Sequence, residues 1–293
     1  MKKTIGFVGL GLMGSGMAQN LLKDDYPVIG FDLDSEKMAA FTASGGQKSG
    51  HPGSMADMVD VLILSLPNSD VVNEVAFNTL DLKNSDRDNL ILIDTTTADP
   101  GMSKALSEEL QTKGISMLDA TISGTSKMCA EKDITMMVGG DKAIYQECKN
   151  IFSAMASKTF YLGANGSGAM MKLIVNLVLG LNRMVLAEGL SLGKKAGVDT
   201  EQMLDVLKNS AAYSKAIDMK GQKMSRADFI PAEGKLAFHL KDVRLILDLS
   251  RQLNFPLPLS CLHAQALTSI VAKGRGEWDN AAIISFYNDL VQS

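Results

Sequence analysis

Short apolar runs alternate with amphipathic stretches through the first half of the chain. Residues 4–8, 28–31, 61–66 and 90–93 are apolar segments bounded by turn residues. Runs of this length without polar alternation predict strands buried on both faces. Further strands are expected at 116–119, 134–138 and 159–162. Helical spacing falls between them, after Gly14 (with Met17, Leu21 and Leu22 on one face) and at 35–43, 54–60, 70–77, 99–112 and 142–155. Strands alternating with helices predict an α/β domain built on a Rossmann-type, doubly wound, mostly parallel sheet. The pattern changes at 163–168. Beyond it the strand signals largely disappear, and helices are expected at 169–195, 200–209, 213–224, 236–253, 259–273 and 279–291. The expected organisation is a nucleotide-binding domain over 1–163 and an all-helical domain over 164–293.

The stretch Gly9-Leu10-Gly11-Leu12-Met13-Gly14 lies between the first strand and the first helix. Its glycines suit a tight turn, a close backbone approach to a pyrophosphate and close helix–strand packing. The free N–H groups and dipole of the helix start favour a bound phosphate. The second strand ends in Asp32, close to the roughly 20-residue offset expected of a dinucleotide fingerprint. A carboxylate there accepts hydrogen bonds from ribose hydroxyls and repels a 2′-phosphate. Leu33, Asp34 and Ser35 supply no arginine, so NAD is expected over NADP. Leu66-Pro67-Asn68 and Thr96-Thr97 end two other strands, where ligands of such sheets bind.

Composition narrows the class. With 46% hydrophobic residues the chain has ample material for a core, and a net charge of −4 lacks a nucleic-acid footprint. Cys129, Cys148 and Cys261 form no metal or redox motif, and His51, His239 and His263 are scattered, so no metal site is expected. The apolar run 173–192 resembles a membrane span but contains Asn176, Asn182, Arg183 and Glu188, which are costly in lipid. A buried helix of a cytoplasmic protein fits it better.

Two segments carry candidate chemistry. Gly166-Ser167-Gly168 opens the long helix, and Lys172 and Asn176 share one of its faces among apolar neighbours. Burial disfavours the charged form of such a lysine and makes it usable in proton transfer. A lysine reaching out to solvent at a domain edge fits the same pattern. Residues 119–126, Asp-Ala-Thr-Ile-Ser-Gly-Thr-Ser, follow a strand and are expected to form a donor-rich loop. Such a loop suits an anion or an ordinary capped turn. Lys241-Asp242 alone reads as a solvated pair.

Taken together and in order, these motifs resemble those of the β-hydroxyacid dehydrogenases of the 3-hydroxyisobutyrate dehydrogenase type, over essentially the whole chain. Residues 7–22 are similar to the family's N-terminal signature, 119–124 to its substrate segment, Gly166-Ser167-Gly168 with Lys172 and Asn176 to its catalytic segment, and Lys241-Asp242 to its cofactor-contacting pair. The resemblance implies an NAD-dependent dehydrogenase of a short 3-hydroxy acid, with Lys172 as acid/base and Asn176 beside it. It implies Ser123, Gly124 and Thr125 as holders of the substrate's acid group. Leu66, Pro67 and Thr97 would line the nicotinamide and ribose path, and Lys241 would close over the cofactor.

The chain departs from the family where Thr121-Ile122-Ser123-Gly124-Thr125 replaces the usual Pro-Val-Ser-Gly-Gly. The Thr125-Ser126 pair resembles sulfolactaldehyde reductases, which carry arginine at the position of Gly124. A reductase of an anionic aldehyde, such as a semialdehyde or sulfolactaldehyde, is therefore the alternative activity. Imine reductases and non-catalytic, chromatin-associated nucleotide-binding relatives lack the lysine. Relatives associate through the helical domain, so a homodimer or homotetramer is expected.

Overall fold

The computed structural model describes residues 2–84 and 89–292. Contacts divide the chain into two compact units, Met1–Lys172 and Leu173–Ser293.

The first unit holds strands β1 (Ile5–Val8), β2 (Val28–Phe31), β3 (Gln47–Lys48), β4 (Val61–Leu64), β5 (Ile91–Asp94), β6 (Ser116–Ser123), β7 (Thr135–Gly140) and β8 (Lys158–Gly163). Its helices are α1 (Gly14–Lys23), α2 (Ser35–Ala43), α3 (Met55–Met58), α4 (Ser69–Glu74), α5 (Pro100–Gln111), α6 (Ser126–Ala130), α7 (Lys142–Glu147) and α8 (Lys149–Met155). Among the described residues, one sheet of eight strands runs in the order β3-β2-β1-β4-β5-β6-β7-β8. All neighbours are parallel except β6 and β7. The order reverses direction at β1, which puts the topological switch point, where ligands of such sheets bind, between the C-terminal ends of β1 and β4.

Continuous apolar strands follow from burial on both faces. Phe7 and Ile63 pack with Met17, Leu21 and Phe152 on one side of the sheet. Val8, Leu62 and Leu64 pack with Met55, Leu92 and Leu106 on the other. Val8 is level with Phe31 and with Leu64, and Leu64 with Asp94, which brings the loops after these strands to one edge.

Besides shifts at helix ends and the 3-10 turn that replaces the start of the helix expected at 279–291, three elements differ from the sequence expectation. The strand expected at 116–119 continues to Ser123, because β7 pairs with it antiparallel as far as Ser123 opposite Thr135. Residues 142–155 form two helices that meet at the buried Cys148. The two-residue strand β3 is exposed and polar, so no hydrophobic pattern announces it.

Helix α9 (Ser167–Lys195) begins in the first unit and continues into the second. The second unit adds α10 (Thr200–Lys208), α11 (Lys215–Arg226), α12 (Leu236–Gln252), α13 (Pro258–Ala272) and α14 (Ile284–Gln292). Leu186, Ala187 and Leu190 of α9 pack in its core with Leu240, Leu267 and Ile283. Polar groups are buried here too. Lys220 is held between Asp279 and Glu233, each at 2.9 Å. Arg183 is 5% exposed and donates from Nε to the Leu179 carbonyl at 3.3 Å. Desolvation lowers its pKa to about 10, against the opposing pull of Asp279 and Asp242.

Candidate active site

The glycine loop joins the C-terminal end of β1 to α1. Gly9 adopts φ +92°, and a Cβ there would lie 2.3 Å from the Ser65 carbonyl oxygen, so the turn admits glycine alone. A Cβ at Gly14 would lie 2.0 Å from the Gly9 carbonyl oxygen. At Gly11 it would meet nothing within 4 Å, so the open side of the loop is there. No side chain caps the start of α1, and Leu12 is exposed while Leu10 is buried. This is a fit for a dinucleotide: a bare helix start, an open backbone at Gly11, and an acidic residue at the end of β2.

That residue, Asp32, accepts the Leu10 N–H through Oδ2 at 2.6 Å and the Asp34 N–H through Oδ1 at 2.9 Å. An ionised carboxylate has about four lone-pair positions, so acceptor capacity remains for ribose hydroxyls. Lys37, in the first turn of α2, puts its Nζ 3.8 Å from Asp32 and 3.6 Å from Asp34. A positive charge therefore stands two residues beyond Leu33, Asp34 and Ser35.

The neighbouring strand ends form a second layer. The Leu66 N–H donates to Thr96 Oγ1 at 3.0 Å, and the Thr96 N–H to Asp94 Oδ1 at 2.9 Å. Asn68 caps α4 by accepting the Val71 N–H at 2.9 Å. Pro67 is exposed and Thr97 half-buried. Thus Thr96 and Asn68 use their side chains to hold loops.

The extension of β6 corrects the expected loop at 119–126. Asp119 and Thr121 are strand residues, 1% and 0% exposed, so they face protein rather than a ligand. The sequence pattern hides this because both are polar in a strand whose other face, Ala120 and Ile122, is core. The loop proper is Gly124 and Thr125, followed by α6. Thr125 Oγ1 accepts the Met128 N–H at 3.3 Å and keeps its hydroxyl proton for a partner. Gly124 is exposed at φ +157°, and a Cβ there would lie 2.5 Å from Ile134 Cγ2. An arginine is therefore excluded without displacement of Ile134.

The start of α9 is fastened to β6. Asp119 accepts the Gly166 and Ala169 N–H groups, both at 2.8 Å, and Thr121 Oγ1 donates to the Gly168 carbonyl at 2.8 Å. Lys172 follows one turn after Ala169 and is half-buried. Asn176 is a further turn along, buried, and donates from Nδ2 to Asp242 Oδ2 at 2.8 Å. Lys241 Nζ stands 3.1 Å from Asp242 Oδ1. Asp242 therefore meets both Asn176 and Lys241, a link that the adjacent pair in the sequence does not reveal. Among the described residues no group of three or more His, Cys, Asp or Glu side chains is arranged to hold a metal.

Comparison with known proteins agrees with this architecture. Residues 4–163 match the family described as the NAD-binding domain of 6-phosphogluconate dehydrogenase. Residues 166–287 match that described as the NAD-binding of NADP-dependent 3-hydroxyisobutyrate dehydrogenase. The chain is 31% identical to L-threonate dehydrogenase of Cupriavidus necator, over 98% of this chain and 97% of that one. It is 30% identical to 2-(hydroxymethyl)glutarate dehydrogenase of Eubacterium barkeri, over 98% and 95%. The crystal structure of 3-hydroxyisobutyrate dehydrogenase from Salmonella typhimurium superposes with a TM-score of 0.88 at 27% identity, covering 96% of this chain and 99% of that one.

The chain belongs to the β-hydroxyacid dehydrogenase family. It is an NAD-dependent oxidoreductase acting on the CH–OH group of a hydroxy acid, and a role as a nucleotide-binding module alone is not favoured.

Proposed function

We propose that this enzyme interconverts a short-chain 3-hydroxy acid, resembling 3-hydroxyisobutyrate, and its carbonyl form, with Lys172 as general acid/base. The observation that carries the reading is the start of α9. Lys172 and Asn176 lie one turn apart on a helix whose first turn is fastened to β6, the strand that ends in Ser123. The 3-hydroxyisobutyrate, L-threonate and 2-(hydroxymethyl)glutarate named for the relatives are all hydroxy carboxylates, which supports an acid as substrate.

NAD, when bound, accepts or supplies the hydride. The residues of this chain do the rest. Ser123 Oγ, the Thr125 hydroxyl and backbone N–H groups around Gly124 hold the acid group by charge-assisted hydrogen bonds. Lys172 Nζ takes the hydroxyl proton in oxidation and returns it in reduction. Asn176, fixed by Asp242, orients the reacting oxygen. Gly9, Leu10, Gly11, Leu12, Met13 and Gly14 hold the pyrophosphate and Asp32 the ribose, which favours NAD over NADP. Leu66, Pro67, Asn68 and Thr97 border the cofactor path, and Lys241 contacts the cofactor. The absence of an arginine at position 124 keeps a carboxylate ahead of a sulfonate.

Absorbance of NADH at its nicotinamide band tests the reading with a panel of 3-hydroxyisobutyrate, L-threonate, 2-(hydroxymethyl)glutarate, sulfolactaldehyde and uncharged alcohols of matched size. Turnover of at least one carboxylate, with kcat/KM well above its matched alcohol, is the expected result. Preference for the sulfonated aldehyde or for an uncharged alcohol would displace it.

A further inference from the structure

The start of α9 meets the sheet backbone against backbone. A Cβ at Gly168 would lie 2.4 Å from the Met137 carbonyl oxygen and 2.6 Å from that of Asp119. A Cβ at Gly139 would lie 2.6 Å from Asp119 Oδ1. No side chain fits between helix and sheet at either point. Into this seam β6 turns two polar side chains, Asp119 and Thr121, on one face and two residues apart. Between them they engage three polar groups of the helix start, the Gly166 N–H and both ends of the peptide that joins Gly168 to Ala169. Asp119 takes the Gly166 and Ala169 N–H groups, and Thr121 gives its hydroxyl to the Gly168 carbonyl.

We propose that Asp119 and Thr121 are positioning residues that set the placement of the Lys172 amine. The proposal rests on the reading of Lys172 as the acid/base. A helix is rigid over one turn, so the peptide held at Ala169 determines where the side chain of Lys172 starts. Asp119 does more than fill space, because its carboxylate matches the uncapped N–H groups of the helix start in charge and in number of acceptors. Burial pushes this carboxyl above its ordinary pKa, and the Ala169 and Gly166 N–H groups pull it back. Thr121 adds a second, neutral tether beside the carboxylate, its hydroxyl donating to the Gly168 carbonyl at 2.8 Å.

The test uses the full-length enzyme with NAD and the best acid of the panel. Asp119→Asn keeps the shape but presents an NH2 group to one of the two N–H donors. Thr121→Val removes only the hydroxyl. Asp119→Asn is expected to lower kcat about 100-fold, the scale of a small misplacement of a catalytic group. Thr121→Val is expected to lower it about tenfold, the scale of one lost hydrogen bond. KM for NAD stays within about twofold in both, since neither touches uniform cofactor binding.

Lysines dimethylated with carbon-13 formaldehyde supply a readout separate from activity. The Lys172 resonance is assigned by its absence in Lys172→Arg. It should shift, and its titration midpoint move, in both variants, while the resonances of the exposed Lys149 and Lys208 stay in place. An unchanged Lys172 resonance, or kcat within about threefold of the parent in the folded variants, overturns the proposal. If Asp119→Asn does not fold, Thr121→Val decides alone. Near-parental turnover by Lys172→Ala would instead remove Lys172 from the mechanism, and the resonance would still report whether the strand places its side chain.

Discussion

The carboxylate of Asp32 holds the backbone N–H of Leu10 at 2.6 Å, so the residue proposed to hold the ribose also shapes the loop proposed to hold the pyrophosphate. On the proposed roles, this one side chain couples cofactor choice to cofactor affinity. Replacing Asp32 with Ser and Leu33 with Arg should move preference from NAD towards NADP, by removing repulsion and adding a phosphate partner. A lost hydrogen bond to a charged group is worth about 1.5–3 kcal/mol, so KM for NAD should rise tenfold or more. Initial rates with NADH and NADPH decide this. An unmodified enzyme that uses NADPH more efficiently than NADH would refute the role given to Asp32, and Lys37 at 3.8 Å would be the first residue to examine.

Lys172→Ala should lower kcat by about 10²–10⁴-fold, the range of general acid–base catalysis. Affinity for NAD, measured by quenching or calorimetry, should stay nearly unchanged. A variant that keeps most of its turnover would exclude proton transfer by this residue.

Ser123 ends β6 and is half-buried, beside the exposed Gly124. Ser123→Ala should raise KM for the acid about tenfold or more, with a smaller effect on NAD. Uncharged analogues should be poor substrates of the parent and almost indifferent to the change. Equal KM increases for acid and alcohol would point to a packing defect instead of lost anion recognition.

Ile174, Val178, Val185 and Leu192 on α9 are 47%, 52%, 68% and 71% exposed. Their spacings of four, seven and seven residues make a continuous apolar seam on a helix. We expect a homodimer or homotetramer. Sedimentation at micromolar concentration should show it, and Val185→Lys with Leu192→Lys should shift the distribution towards monomer. A single species at monomer mass for the parent would contradict the expectation.

Acid should destabilise the second unit through His263. Burial lowers its pKa from 6.5 to about 4, with the charge of Arg183 acting in the same direction. Between pH 6.5 and 4 the unfolded chain therefore binds more proton here than the folded one, and stability rises with pH across that window. The full contribution, on the order of 3 kcal/mol, is present above pH 6.5 and is lost as pH falls through 4. Urea midpoints of the parent and of His263→Gln, measured from pH 7 to 4, should converge as the pH drops. Parallel curves would show that His263 does not set the slope.

Much of this molecule is legible in its sequence, for a physical reason. Strands such as 61–64 lie inside a sheet covered on both faces, so burial leaves an uninterrupted apolar run. The glycine loop is legible because backbone crowding at Gly9 and Gly14 excludes other residues. What escaped is where polar residues are buried by partners remote in sequence. Asp119 and Thr121 look like loop residues until Gly166, Gly168 and Ala169 supply their hydrogen bonds. Asp242 looks solvated until Asn176 reaches it from 66 residues away. Cys148, buried among apolar groups, interrupts a helix that periodicity alone carries straight through.

The unbroken pairing of β6 with β7, from Leu118 opposite Gly140 to Ser123 opposite Thr135, makes this strand a ruler. Asp119, Thr121 and Ser123 are alternate marks on it. At about 3.3 Å per residue the first and last lie ~13 Å apart. The interval from the helix seat to the proposed acid-holding end is thereby set by backbone rise, whatever side chains follow. On the proposed roles, substitutions at residues 124–127 would change which acid is preferred without moving Lys172. Accepting a substrate longer between its acid group and its hydroxyl is a different matter. It would require an added residue in β6, and an added residue without a compensating bulge would turn every mark beyond it to the other face of the sheet.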